Sequence, residues 1–166
     1  MGVRPPRLNR GVSWTEVRVE FHYSLGGTGW ATATVANDGK SVSMPASYLH
    51  DSLRDLAKAV LRLRDGESEA LVIFVDEPGE HHLTLRRLND DVTVEVQRTN
   101  LWTNGKPIPP GEGRTLFEAR VPFSELQRAV LTALDDLMSS LGVVRYKEKW
   151  VEHDFPTAEY QQLRAS

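Results

Sequence analysis

The chain has 166 residues, a formal net charge of −3 at pH 7 and no cysteine. This length fits one ordinary domain, which buries a sufficient core without covalent staples. The lack of cysteine excludes disulfides, thiolate metal sites and cysteine nucleophiles, and it fits the reducing cytoplasm. We therefore predict a cytoplasmic protein with a flexible basic arm at residues 1–11 and a single domain at residues 12–166.

The arm contains Arg4, Arg7 and Arg10 but no apolar stretch, so it does not have the pattern of a secretion signal. No segment is long and apolar enough for a membrane span, and we expect no membrane partner. Because the arm is short and precedes a mildly acidic domain, we do not expect it to bind nucleic acid.

Alternating and turn-forming residues predict three strands at the start of the domain. Residues 16–23 alternate apolar and polar side chains, which is typical of a half-buried strand. A second strand is predicted at residues 30–36 and a short third strand around Val42 and Met44, with turn-forming residues between them. The domain is thus predicted to open as a β-meander.

Two segments of the form Pro-x-Ser-x-Leu, at residues 45–49 and 122–126, each precede a run with helical spacing. Pro favours the entry to a helix and a Ser hydroxyl accepts from its free amide groups, so both segments are predicted helix starts. The apolar stripes end at Gly66 and Gly142. The repetition reflects either a duplicated hairpin–helix unit or convergence on an efficient helix start.

Residues 71–75 are apolar at every position, which predicts a central strand covered on both faces. A half-exposed hairpin is expected at residues 82–98 around a turn at Asn89 and Asp90, and a strand at residues 115–121. The late aromatic residues predict a short helical turn and a docked tail, with Pro156 ending the regular part. The predicted class is α+β, a largely antiparallel sheet with two amphipathic helices packed on one face.

The segment from Asp76 to His82 is the densest run of titratable side chains. Its carboxylates and imidazoles could bind a divalent ion or share acid–base work. A Pro-Gly turn between two strands explains the same residues, with Glu77 and Glu80 as exposed acidic tips. We predict no catalytic residue, no metal site and no cofactor, and keep an enzyme that uses this turn as an alternative.

The segment at residues 99–114 holds three Pro and three Gly, so it is predicted to be a long loop. Leu101, Trp102 and Ile108 are large apolar residues within it, and such residues either fold back on the body or contact a partner. Trp is a frequent interface anchor. We predict that Leu101, Trp102 and Ile108, with Glu77 and Glu80, bind a partner; the alternative is that Trp102 plugs the end of the sheet.

Several segments together resemble a loose group of small, uncharacterised bacterial α+β proteins. The resemblance rests on Met44–Leu49, Phe74–Glu80, Leu85–Arg87, Tyr146 and Trp150. Some proteins of this build are similar to immunity proteins, which block a partner toxin by binding it. The resemblance implies a non-enzymatic, macromolecule-binding domain whose partner is another protein, such as a toxin. The alternatives are a small enzyme and a nucleic-acid accessory protein that uses the Arg arm.

Overall fold

The computed structural model describes residues 18–165, so the predicted arm at residues 1–11 lies outside the described part of the chain. Residues 18–165 form seven strands and four helices. In chain order these are β1 (Glu20–Gly26), β2 (Trp30–Asn37), β3 (Lys40–Ser47), α1 (Ser52–Arg64), β4 (Glu69–Val75), β5 (Glu80–Leu88), β6 (Asp91–Thr99), β7 (Gly113–Pro122), α2 (Phe123–Ser140), α3 (Gly142–Trp150) and α4 (Thr157–Arg164).

The strands form two antiparallel sheets, one in the order β1-β2-β3 and the other in the order β4-β5-β6-β7. The α+β class is therefore confirmed. The sequence pattern predicted one sheet, whereas the described strands form two. The two sheets are separate because β3 and β4 are not paired by backbone hydrogen bonds. Strand β3 nevertheless contacts both β4 and β7, so the sheets share one interior.

The core is one continuous cluster with contributions from both sheets and all four helices. Val19, Phe21 and Tyr23 are buried while Glu20 and His22 are exposed, which confirms the alternation predicted for residues 19–23. Helix α1 packs on β4, and α2 packs on β1, β6 and β7. The two predicted amphipathic helices thus bury their apolar stripes in the same core.

The first predicted helix start is wrong, and the second is confirmed apart from its predicted Ser cap. Pro45 and Ser47 lie in β3, and α1 begins only at Ser52, where the Asp51 carboxylate accepts a hydrogen bond from the Arg54 amide. Pro122 immediately precedes α2, but no side chain caps that helix. The two similar segments therefore occupy different structural positions, because the first has strand partners that sequence spacing does not reveal.

The prediction that residues 71–75 form a central strand is also wrong, since β4 is an edge strand that pairs with β5 alone. Its residues are nevertheless largely buried, with Val72 and Phe74 fully so. Helix α1 packs against β4 and β3 lies beside it. An unbroken apolar run reports burial of both faces, and here helix and neighbouring sheet supply that burial without a second hydrogen-bonded strand.

The C-terminal tail is docked, as predicted, but contains two helices beyond α2. Tyr146 of α3, Phe155 and Tyr160 of α4 form two edge-to-face aromatic pairs, at ring-centroid distances of 5.4 and 5.6 Å. Pro156 does not end the regular part, because it precedes the first turn of α4. Pro lacks an amide hydrogen and so suits a helix start as well as a stop.

Three connections meet at one end of the fold, which we call the loop end. They are residues 48–51 before α1, residues 76–79 between β4 and β5, and residues 100–112 between β6 and β7. The antiparallel registers bring the last two together, because Val75 pairs with Glu80 and Glu80 pairs with Thr99. The Ser52 hydroxyl donates to the Ile73 carbonyl at 2.7 Å and ties the first connection to β4.

Candidate functional site

The loop at residues 100–112 is ordered by its own short turns. The Lys106 amide donates to the Thr103 carbonyl and the Glu112 amide donates to the Pro109 carbonyl, each at 3.1 Å. Positive φ angles of 53° at Asn104 and 83° at Gly105 place the first turn in the left-handed region, which these residue types tolerate. The long loop predicted from its Pro and Gly content is therefore confirmed, with defined local structure.

One buried cluster of hydrogen bonds anchors this loop to β5. The Glu80 carboxylate accepts from the Thr103 amide at 3.0 Å and from the Thr103 hydroxyl at 2.6 Å. The His82 Nε2 lies 2.7 Å from the same carboxylate and 3.2 Å from the Thr103 hydroxyl. Glu80, His82 and Thr103 are exposed by only 2%, 2% and 8%. We call this cluster the Glu80 anchor.

The electrostatics of the anchor favour an ionised carboxylate. Burial would raise the pKa of Glu80, but the hydrogen bonds from the Thr103 hydroxyl, His82 and the Thr103 amide outweigh it and hold that pKa below its usual value. Hydrogen bonds to a charged acceptor are stronger than neutral ones. The loop is thus attached through one of the stronger kinds of polar contact available to a side chain.

Glu80 is not the exposed acidic tip that the sequence predicted. Glu80 pairs with Thr99 at the end of the hairpin. Thr103 then folds back so that its amide donates to the Glu80 carboxylate. The first six residues of β5 are buried, so this half of the predicted half-exposed hairpin is covered. Sequence reasoning missed Thr103, because a contact across 23 residues within an irregular loop leaves no periodic pattern.

The other predicted partner-binding residues differ in exposure. Trp102 is 55% exposed and Leu101 is 38% exposed, although both neighbour the anchored Thr103. Glu77 is exposed in the adjacent connection, whereas Ile108 is half-buried against Gly113. Trp102 therefore does not plug the end of the sheet, and the loop end presents it together with Leu101.

The connection at residues 76–79 is a tight turn, as the sequence predicted. The Asp76 amide donates to the Gly79 carbonyl at 3.0 Å. Arg98 braces the turn from β6, because its guanidinium donates to the Pro78 carbonyl at 2.9 Å and lies 3.6 Å from the Asp76 carboxylate. His81 lies beside this pair, and burial followed by the charge of Arg98 lowers its pKa. These residues form a structural brace behind the loop.

The anchor contains a hydroxyl, an imidazole and a carboxylate, the groups used for general acid–base and nucleophilic catalysis. Their burial leaves little surface for a substrate, and Glu80 contacts Thr103 and His82 together, without an ordered relay from base to nucleophile. Within residues 18–165, no group of three or more His, Asp or Glu side chains is arranged to hold a metal ion. In the same residues, no helix is long and apolar enough to cross a membrane.

Comparisons of the chain with protein-family models, with curated proteins and with solved structures return no match.

Proposed function

We propose that this chain is a protein-binding domain and that residues 100–112 present its partner surface. The observation that carries this proposal is the contrast between neighbouring residues: Trp102 is 55% exposed, while Thr103 is 8% exposed and held by Glu80. A large aromatic side chain on an anchored loop offers much area for desolvation. Because the loop is ordered before binding, association loses less conformational entropy.

Inhibition of a toxin is the specific form of this proposal. It is supported by the resemblance to small bacterial proteins of immunity type and by a net charge of −3, which favours a basic partner. The nucleic-acid alternative depends on Arg4, Arg7 and Arg10, which lie outside the described residues. The enzyme alternative depends on the segment from Asp76 to His82, where the structure favours an anchoring role.

The test uses the full chain as bait to isolate its partner from cell extract, followed by calorimetric titration with the purified partner. We expect Trp102→Ala to weaken binding at least about tenfold, as truncation of an interface Trp commonly does. Leu88→Ala is the matched control, since Leu88 is 66% exposed but lies beside the turn at Asn89, at the opposite end of β5. Equal affinity of the parent and Trp102→Ala would exclude the loop as the partner surface.

A further inference from the structure

A cleft opens between the first sheet and helix α2, and we call it the α2 cleft. Phe21, Ala36 and Ala129 form its apolar floor, while Glu20 and Asp136 are among the polar residues of its rim. Its volume is about 280 Å³. That volume lies just below the range of pockets that enclose a small-molecule ligand, so the cleft suits one long side chain.

Two carboxylates at the rim of this cleft have no partner among residues 18–165. Glu20 and Asp136 are both exposed, and neither side chain makes an ion pair or a hydrogen bond with a described residue. Arg128, a cation that also lines the cleft, is already engaged, because its guanidinium binds the Glu125 carboxylate at 3.0 Å and the Val19 carbonyl oxygen at 3.3 Å. The α2 cleft therefore combines unpaired negative charge with an apolar floor.

The chain itself carries a cationic segment that joins the domain beside this cleft. Residues 1–17 lie outside the described part of the chain and meet it at Arg18, two residues before Glu20. Residues 1–11, the basic arm, contain three Arg and no acidic residue. Arg10 precedes Glu20 by ten residues, and an extended chain of that length spans up to about 33 Å. The α2 cleft is therefore within reach of the arm.

We infer that the basic arm occupies the α2 cleft, with the Arg10 stem on the apolar floor and its guanidinium against the Glu20 and Asp136 carboxylates. An Arg side chain suits this cleft, because its apolar stem covers apolar surface while its planar head pairs with carboxylates through two hydrogen bonds. The covalent link sets an effective concentration on the order of millimolar, so a weak attraction is sufficient. This inference does not depend on the partner surface proposed for residues 100–112.

The α2 cleft lies away from the loop end. Strand β1 begins at Glu20, whereas Gly26 at its other end pairs with Trp30, which in turn pairs with Ser47 beside the 48–51 connection. A docked arm therefore leaves the 100–112 loop accessible. It also pairs arginine charge that phosphate groups would otherwise attract, which agrees with the expectation that the arm does not bind nucleic acid. Docking gives the arm, which the sequence predicts to be flexible, a defined site on the domain.

The experiment uses the lack of cysteine, which allows one spin label to be attached to the full chain at Asn9→Cys. Nuclear magnetic resonance then measures the paramagnetic broadening of backbone amide signals. We expect strong broadening at Ala129 and Thr132 of α2 and little at Lys106 of the loop end. Raising the salt from about 0.01 M to about 1 M shortens the Debye length from about 30 Å to about 3 Å and should reduce the broadening in α2 at least about threefold.

Two pairs of substitutions test whether the cleft carboxylates hold the arm. Glu20→Gln together with Asp136→Asn removes both charges at exposed positions, where substitutions rarely affect folding, and should reduce the broadening in α2 at least about threefold. Glu77→Gln together with Glu112→Gln changes the net charge equally at exposed positions of the loop end and should leave the broadening unchanged.

A third pair alters the arm and leaves the described residues untouched. Arg7→Gln together with Arg10→Gln should reduce the broadening in α2 as the cleft pair does. Unchanged broadening in the cleft pair or in the arm pair would overturn the inference. Broadening of the parent that does not respond to salt would also overturn it. Equal effects of the cleft pair and the loop-end pair would do the same, because they would reflect net charge alone.

Discussion

At the scale of single residues, Glu80 controls the position of the candidate binding loop. Its two carboxylate oxygens accept hydrogen bonds from the backbone amide and the hydroxyl of Thr103. His82, on the same strand as Glu80, contacts the carboxylate through Nε2. A buried carboxylate with fewer partners would be costly, so the hydrogen bonds and the burial of Glu80 depend on one another. The exposure of Trp102 thus depends on a side chain that solvent hardly reaches.

The ionisation of Glu80 predicts a specific acid sensitivity. Because the pKa of Glu80 in the folded protein lies below its usual value, the contribution of this carboxylate to the free energy of unfolding is fully present above that usual pKa. The contribution is lost as the pH falls through the folded pKa. We expect the stability of the parent to fall more steeply than that of Glu80→Gln below about pH 4.5. Urea unfolding at a series of pH values measures both slopes, and parallel curves would contradict the prediction.

Gly79 is required both for its backbone conformation and for the space beside it. Its φ is 90°, and an added Cβ would collide with the Arg98 guanidinium and the Thr99 carbonyl oxygen. Gly111 has a similar φ of 83°, but nothing lies within 4 Å of its Cβ position. Comparing Gly79 with Gly111 therefore separates the cost of the positive φ from the cost of the collision. We expect Gly111→Ala to cost about 1–2 kcal/mol from the backbone alone and Gly79→Ala to cost more.

Chemical denaturation of both variants measures these costs. A smaller loss of stability for Gly79→Ala than for Gly111→Ala would show that the collision with Arg98 and Thr99 is relieved by movement of the hairpin.

At the scale of elements, irregular segments position the candidate site while the strands support it. Strands β5 and β6 hold Glu80 and Arg98, and these residues fix the 100–112 loop and the 76–79 turn. A loop fastened at a buried point retains a defined shape, whereas one fixed only at its ends samples many. The sheet therefore supports the 100–112 loop, and the loop provides the proposed partner surface.

The contrast between two tryptophans tests this division of tasks. Trp102 is 55% exposed on the loop, whereas Trp150 of α3 is fully buried in the core. We expect Trp150→Ala to lower the free energy of unfolding by about 3–5 kcal/mol, because it leaves a large cavity. Trp102→Ala should change that free energy by only about 0.5 kcal/mol, as exposed substitutions usually do. Equilibrium unfolding of the two variants measures both values, and similar losses would mean that Trp102 is packed.

At the scale of the whole molecule, the two sheets share a single interior. Strand β3 contacts both β4 and β7. Helix α2 packs on β1 of one sheet and on β6 and β7 of the other, and it contacts α1, which packs on β4. The C-terminal helices add Tyr146, Trp150 and Leu163 to the same core. Neither sheet could expose its inner face without exposing part of the other.

This shared core predicts a single cooperative unfolding transition. Calorimetry should yield equal calorimetric and van 't Hoff enthalpies, and circular dichroism in the near and far ultraviolet should show the same midpoint. Trp150→Ala should shift that one transition to lower temperature without splitting it. Two separate transitions would show that the sheets unfold independently.

The sequence by itself determined the α+β class, the positions of the seven strands to within a few residues, the first two long helices and the long irregular loop. These features depend on local spacing and on Gly and Pro, whose effects act within a few residues. It also singled out Trp102, because a large apolar residue in such a loop is unusual.

Only the tertiary structure decided how these pieces meet. The buried state of Glu80, the role of Thr103, the edge position of β4 and the strand position of Pro45 all depend on partners distant along the chain. A residue pattern indicates that a face is covered without naming what covers it. Contacts between remote segments are chosen by the packing of the whole core, so the composition of the candidate site emerged only when the chain had folded.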